Sequence, residues 1–123
     1  MKPTPEELAA HIRELAEEHS ITVTYGGTWR TAECWPSDLA ITAPEPVDPA
    51  TYLVALHEIG HLVDVNARAW SRRRGSGALK CEGMAWAWAA ANCRFHLTAR
   101  DWDIAGRCFR SYLHQYAGCD LGQ

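Results

Sequence analysis

Apolar positions recur along this chain with two different periods. Leu8, Ile12 and Leu15 stand three and four residues apart among charged residues through about His19, which is a helical stripe. Ahead of it, Thr4-Pro5-Glu6-Glu7 offers a hydroxyl N-cap, a proline at the first helical position and a glutamate three residues after the cap. Ile21-Thr22-Val23-Thr24-Tyr25 then alternates with period two, a strand pattern, and Gly26-Gly27 reads as a turn. Trp29 to Trp35 predicts a second strand, and Leu39 to Thr42, after Pro36-Ser37-Asp38, a third. The three are expected to pair as a small antiparallel sheet.

Beyond Pro44-Glu45-Pro46 the period becomes helical again. Asp48-Pro49 supplies an N-cap and a first-turn proline for a second helix reaching about Ala69. Residues 71–77 are polar and glycine-rich, a loop. A third helix is predicted from about Leu79 to Leu97. Thr98 with Asp101 makes a capping start for a fourth, which lasts to about Ala117 with Gly118 as its stop. The order gives an α+β plan: one domain, residues 1–123, with a three-stranded antiparallel sheet packed on a bundle of about four helices. On the fourth helix, Trp102, Ala105, Phe109, Tyr112 and Tyr116 form the expected buried face. His11 and His19, among charged residues, are expected to be solvated.

Composition narrows the choice. With 47% hydrophobic residues in 123, the chain can bury one core. A net charge of −3, with Arg72 to Arg74 as the one local basic run, argues against nucleic acid as a partner. No signal-peptide pattern and no apolar run near the roughly 18 residues of a membrane span is present, so a soluble, cytoplasmic protein is expected. The five cysteines form no CxxC pair and are read as reduced thiols, mostly core.

The chemistry lies in His57-Glu58-Ile59-Gly60-His61, an HExxH pattern within the second helix. Residues four apart stack on one helical face, so both imidazoles can reach one metal ion, with Glu58 turned towards a water beside it. At this composition about 0.02 such matches are expected by chance. A catalytic zinc keeps three protein ligands and one open position. The position six residues after His61, where metzincins place a third ligand, is Ala67.

Ala55-Leu56-His57-Glu58-Ile59-Gly60-His61-Leu62, followed by Cys81-Glu82-Gly83-Met84-Ala85-Trp86-Ala87-Trp88-Ala89, resembles a minimal gluzincin, most of all the ImmA/IrrE-like bacterial and phage metallopeptidases. The resemblance covers about Pro49 to Asn92, and Trp86 and Trp88 belong to no ligand pattern in it. It implies a zincin-like fold, a zinc cofactor held by His57, His61 and Glu82, Glu58 as catalytic base, and a peptide or protein substrate. Glu82 lies 21 residues after His61, and its small neighbours, with Gly60 opposite, suit a close approach of the two helices.

Other readings stay open. Asp64 can accept the second ring N–H of a ligand histidine, replace Glu82, or be an ordinary helix-end carboxylate. His96, 14 residues along the same predicted helix, is too far from Glu82 to join the site. If the third and fourth helices form a hairpin about Thr98, Glu82 lies level with His114. His114 and Tyr116, ahead of Tyr112, are then the candidates for the oxyanion donor that gluzincins commonly draw from His or Tyr. Tyr25, Arg30 and the Arg72 to Arg74 loop are the next places to look. Leu39 to Thr42 can serve as an edge for an extended substrate. The rival to an enzyme is a non-catalytic binding module in which zinc pins two helices, or an adaptor displaying tryptophans.

Overall fold

The computed structural model describes residues 2–69 and 76–116, and for Ser76 and residues 114–116 it gives the backbone alone. Helix α1 spans Pro5–Glu18 and begins as its sequence dictates. Thr4 Oγ1 accepts the Glu7 N–H at 3.2 Å while the Glu7 carboxylate accepts the Thr4 N–H at 3.0 Å, satisfying two orphan donors of the first turn. Leu8, Ile12, Leu15 and Ala16 are buried beneath it.

His11 corrects the expectation of a solvated side chain, whereas His19 is exposed as expected. His11 follows Leu8 by three residues and precedes Leu15 by four, so it shares their face and is buried. Its Nδ1 lies 2.6 Å from the Tyr52 hydroxyl, which also accepts the Arg94 N–H at 3.3 Å. The tautomer of His11 decides which of the two, ring or hydroxyl, donates, since a hydroxyl oxygen can accept twice and donate once.

Strands β1 (Thr22–Tyr25), β2 (Glu33–Trp35) and β3 (Ala40–Ala43) follow, with a single 3₁₀ turn at Pro36–Asp38. The sheet is mixed, in the order β1-β3-β2. β3 runs antiparallel to β2, pairing Cys34 with Ile41, and parallel to β1, pairing Val23 with Ile41. The expected all-antiparallel sheet is thus overturned. So is the substrate edge at Leu39 to Thr42, because β3 is central and hydrogen-bonded on both sides. Alternation states which face a residue takes, and it carries no information on strand direction. The tight turn between β2 and β3 makes those two antiparallel, and β1 pairs on β3's far side.

Helix α2 (Pro49–Val63) crosses the core with every residue from Tyr52 to Leu62 buried, the signature of a helix surrounded by protein. The predicted continuation to Ala69 is interrupted. Asp64 leaves the helical region at ψ 120°, and its Oδ2 accepts the Ala67 N–H at 2.8 Å, capping the separate helix α3 (Val65–Ala69).

Helix α4 (Ser76–Asn92) starts and stops earlier than expected. The chain leaves it at Cys93 because the Arg94 N–H goes to Tyr52 and Phe95 packs edge-on against Tyr52 and His11. Thr98 and Asp101 exchange the predicted pair of hydrogen bonds, at 3.0 and 3.1 Å, but close a turn, and α5 follows from Asp103 to Tyr116. Its buried stripe is Ile104 and Cys108, with Trp102, Ala105 and Phe109 only partly covered.

The described residues thus form five α-helices and a small three-stranded sheet, an α+β architecture. Among them no helix is long and apolar enough to cross a membrane. The largest core cluster joins α1, the sheet, α2, α4 and α5. At the crossing of α2 and α4, a Cβ on Gly60 would stand 2.9 Å from the Ala85 carbonyl oxygen and 3.1 Å from the Trp88 ring. Glycine is what lets these helices meet at that distance.

Candidate metal centre

The meeting of α2 and α4 brings three side chains to one point. His57 and His61, one helical turn apart on α2, present their rings 4.5 Å apart between centroids at 74°. Glu82 on α4 faces both, with His57 Nε2 3.0 Å from Oε1 and His61 Nε2 2.8 Å from Oε2. One donor atom from each of the three falls within 4.8 Å of the others, so the buried group can hold a metal ion.

The donor set fits a divalent ion such as zinc, with two imidazole nitrogens and one carboxylate. His57 Nε2 and Glu82 Oε1 are buried without a hydrogen-bond partner, since their approach is close but misaligned. Buried polar atoms are seldom left so unless something else is to satisfy them.

Electrostatics agree with the geometry. Burial opposes a charge on His57, but its contacts with Glu58 and Glu82 outweigh that and raise its pKa above the usual imidazole range. His61 is raised likewise against burial, by Cys81 and Glu82. Burial would raise Glu82, yet the two histidines hold its carboxyl well below the usual range. Glu82 is therefore a carboxylate, and the protons it attracts to the rings are those a metal ion would displace.

Glu58 is buried beside His57, with Oε1 3.4 Å from Nδ1. It lines two recesses. One, of about 320 Å³, is walled by Ala32, Glu33, Cys34 and Pro36 from the sheet side, by Glu58 and His61, by Cys81 and Glu82, and by Tyr112. The other, of about 240 Å³, is lined by Trp29, Arg30, Val54, His57, Glu58, Cys108, Ser111 and Tyr112. Burial pushes the Cys34 and Cys108 thiols up to about 12, so both stay protonated and unreactive.

Four of the sequence-derived site residues, His57, Glu58, His61 and Glu82, are gathered here. Asp64 is not, because its carboxylate caps α3 and lies outside the converging group. His96 is exposed in the loop beyond α4, away from the group. The side chains of His114 and Tyr116 lie outside the described residues. The helix hairpin does bring α5 back to Glu82, but the described aromatic that borders both recesses is Tyr112. Tyr112 continues the Ile104, Cys108 stripe at steps of four, a periodicity visible in the sequence.

Two further residues escaped the sequence reading. Trp86 stacks on the His57 ring at 4.2 Å and 16°, four residues after Glu82 and so on the same helical face. Cys81 Sγ lies 3.2 Å from His61 Nδ1. Comparisons with known proteins by family model, by sequence and by structure each found no match.

Proposed function

We propose that this protein is a small zinc-dependent peptidase of the gluzincin kind, zincin-like in fold, acting on a peptide or protein. The observation that carries this reading is the convergence of both histidine Nε2 atoms on one buried carboxylate, with Glu58 at the wall of an adjoining cavity. A zinc ion held by His57, His61 and Glu82 would supply Lewis acidity for a water and a substrate carbonyl. A site that merely pinned two helices would more often be closed by a fourth protein ligand and would need no carboxylate beside an open recess.

In this reading Glu58 accepts the proton of the attacking water on its carboxylate and returns it to the departing amine. Tyr112 borders both recesses, which supports it as the donor of a hydroxyl hydrogen to the oxygen that gains charge in this reading. An extended substrate would lie along the outer edge of β2, whose Glu33 and Cys34 line the larger recess and whose other side is paired with β3.

The test is Glu58→Gln, which keeps the side chain's shape and removes its ability to take a proton. Metal content should stay at one zinc per chain while hydrolysis of a peptide library falls at least about a hundredfold, the loss expected for a general base. Undiminished cleavage, or wild-type protein that retains no metal, defeats the reading.

A further inference from the structure

The geometry points to Cys81 as the residue that positions His61 for the metal ion, gripping the far side of the ring from the ligating nitrogen. This inference rests on the metal-site reading above and extends it to a residue outside the ligand set.

Consecutive residues of α4 hold the two nitrogens of one imidazole. Glu82 Oε2 lies 2.8 Å from His61 Nε2, and Cys81 Sγ lies 3.2 Å from Nδ1. Cys81 is buried, so water does not compete for that nitrogen. The ring stands between the sulfur and the converging group, which makes Cys81 a neighbour of the ligand rather than a ligand. A metal-bound histidine is ordinarily fixed by a hydrogen bond to its other nitrogen from a carboxylate, a carbonyl or water. Asp64, the carboxylate whose place in the sequence suited that task, caps α3.

A thiol can either donate to Nδ1 or accept from it, so it pairs with the ring whichever hydrogens the ring carries without metal. With an ion on Nε2 the ring hydrogen must sit on Nδ1, and the sulfur accepts it. His61 thus keeps a partner in both states and need not turn to admit the ion.

The experiment uses the full chain as wild type, Cys81→Ala and Cys81→Ser, stripped with a chelator and titrated with zinc against a chromophoric competitor and with cobalt directly. Cys81→Ala should bind about 10 to 100 times more weakly, the usual loss when such a partner is removed. Cys81→Ser, whose hydroxyl also donates and accepts, should recover most of that loss. In nitrogen-15 spectra of the zinc-loaded protein, the His61 Nδ1–H resonance should shift in both variants, because alanine removes its acceptor and serine replaces sulfur with oxygen. A merely structural role would not move it.

Unchanged affinity and an unmoved resonance in Cys81→Ala overturn the role of Cys81 while leaving the metal site standing. Wild-type protein that binds neither ion overturns the site itself. A thiolate-to-cobalt charge-transfer band in wild type that vanishes in Cys81→Ser makes the cysteine a ligand and also overturns the inference. If the alanine variant does not fold, Cys81→Ser decides: an Nδ1–H resonance identical to wild type counts against a bond to the sulfur.

Discussion

His11 shows how one residue's surroundings differ from its neighbourhood in the sequence. Charged residues flank it on the chain, yet the face it shares with Leu8, Ile12 and Leu15 is the buried one. Burial lowers its pKa first, and the nearby Arg94 charge lowers it further. The folded protein thus prefers the neutral ring, which is paired with the Tyr52 hydroxyl through Nδ1. The folded pKa lies below the unfolded value near 6.5, so the unfolded chain binds more protons between the two. This contribution to stability is complete above the unfolded pKa and declines as pH falls through that window. Denaturant titrations should find wild type weakening on acidification more steeply than His11→Asn, and equal slopes would mean that His11 does not titrate in this way. The same residue-scale logic explains what was readable at the candidate metal centre. His57, Glu58 and His61 follow from spacing on one helix and Glu82 from a likeness of segments. Cys81 and Trp86 act on rings contributed by another helix, a relation that no single stretch of sequence displays.

Among the elements, two helix starts were legible from capping chemistry, whereas Thr98 with Asp101 closed a turn ahead of α5 and boundaries set by tertiary contacts could not be read. Thr4 and Glu7 fix the start of α1, and Asp48 with Thr51 fixes that of α2, where the Thr51 N–H reaches Asp48 Oδ1 at 2.8 Å. The end of α4 instead depends on Tyr52, 42 residues away from Arg94. Strand direction was likewise hidden, because β1 finds its partner across an intervening strand. The contact between α2 and α4 is the element-scale feature that sets the distance from His57 and His61 to Glu82. Gly60→Ala should gain up to about 1 kcal/mol of helix propensity. Against this stands a Cβ 2.9 Å from backbone oxygen, an overpacking cost of about 1–3 kcal/mol. The crowding should win, lowering the melting temperature and, by moving Glu82 away from the histidines, weakening zinc binding measured by competition. A variant as stable as wild type with unaltered affinity would show that the helices can shift apart freely.

At the scale of the whole molecule, the candidate site draws on three helices and the sheet, so an ion there reports on their joint assembly. The stacking of Trp86 on His57 gives that assembly an optical signal of its own. An indole lying face to face with the His57 ring is close enough for a coloured ion such as cobalt, if held there, to drain its excited state, whereas colourless zinc cannot. Emission should therefore fall on cobalt addition, recover when a chelator withdraws it, and change differently with zinc. The chain has six tryptophans, and Trp86→Phe should remove the largest single share of the cobalt-dependent loss. Quenching undiminished in that variant would place the ion away from the indole. If the signal behaves as expected, filling and emptying of the site can be followed in real time by light from the native chain, with no dye attached and no substrate known.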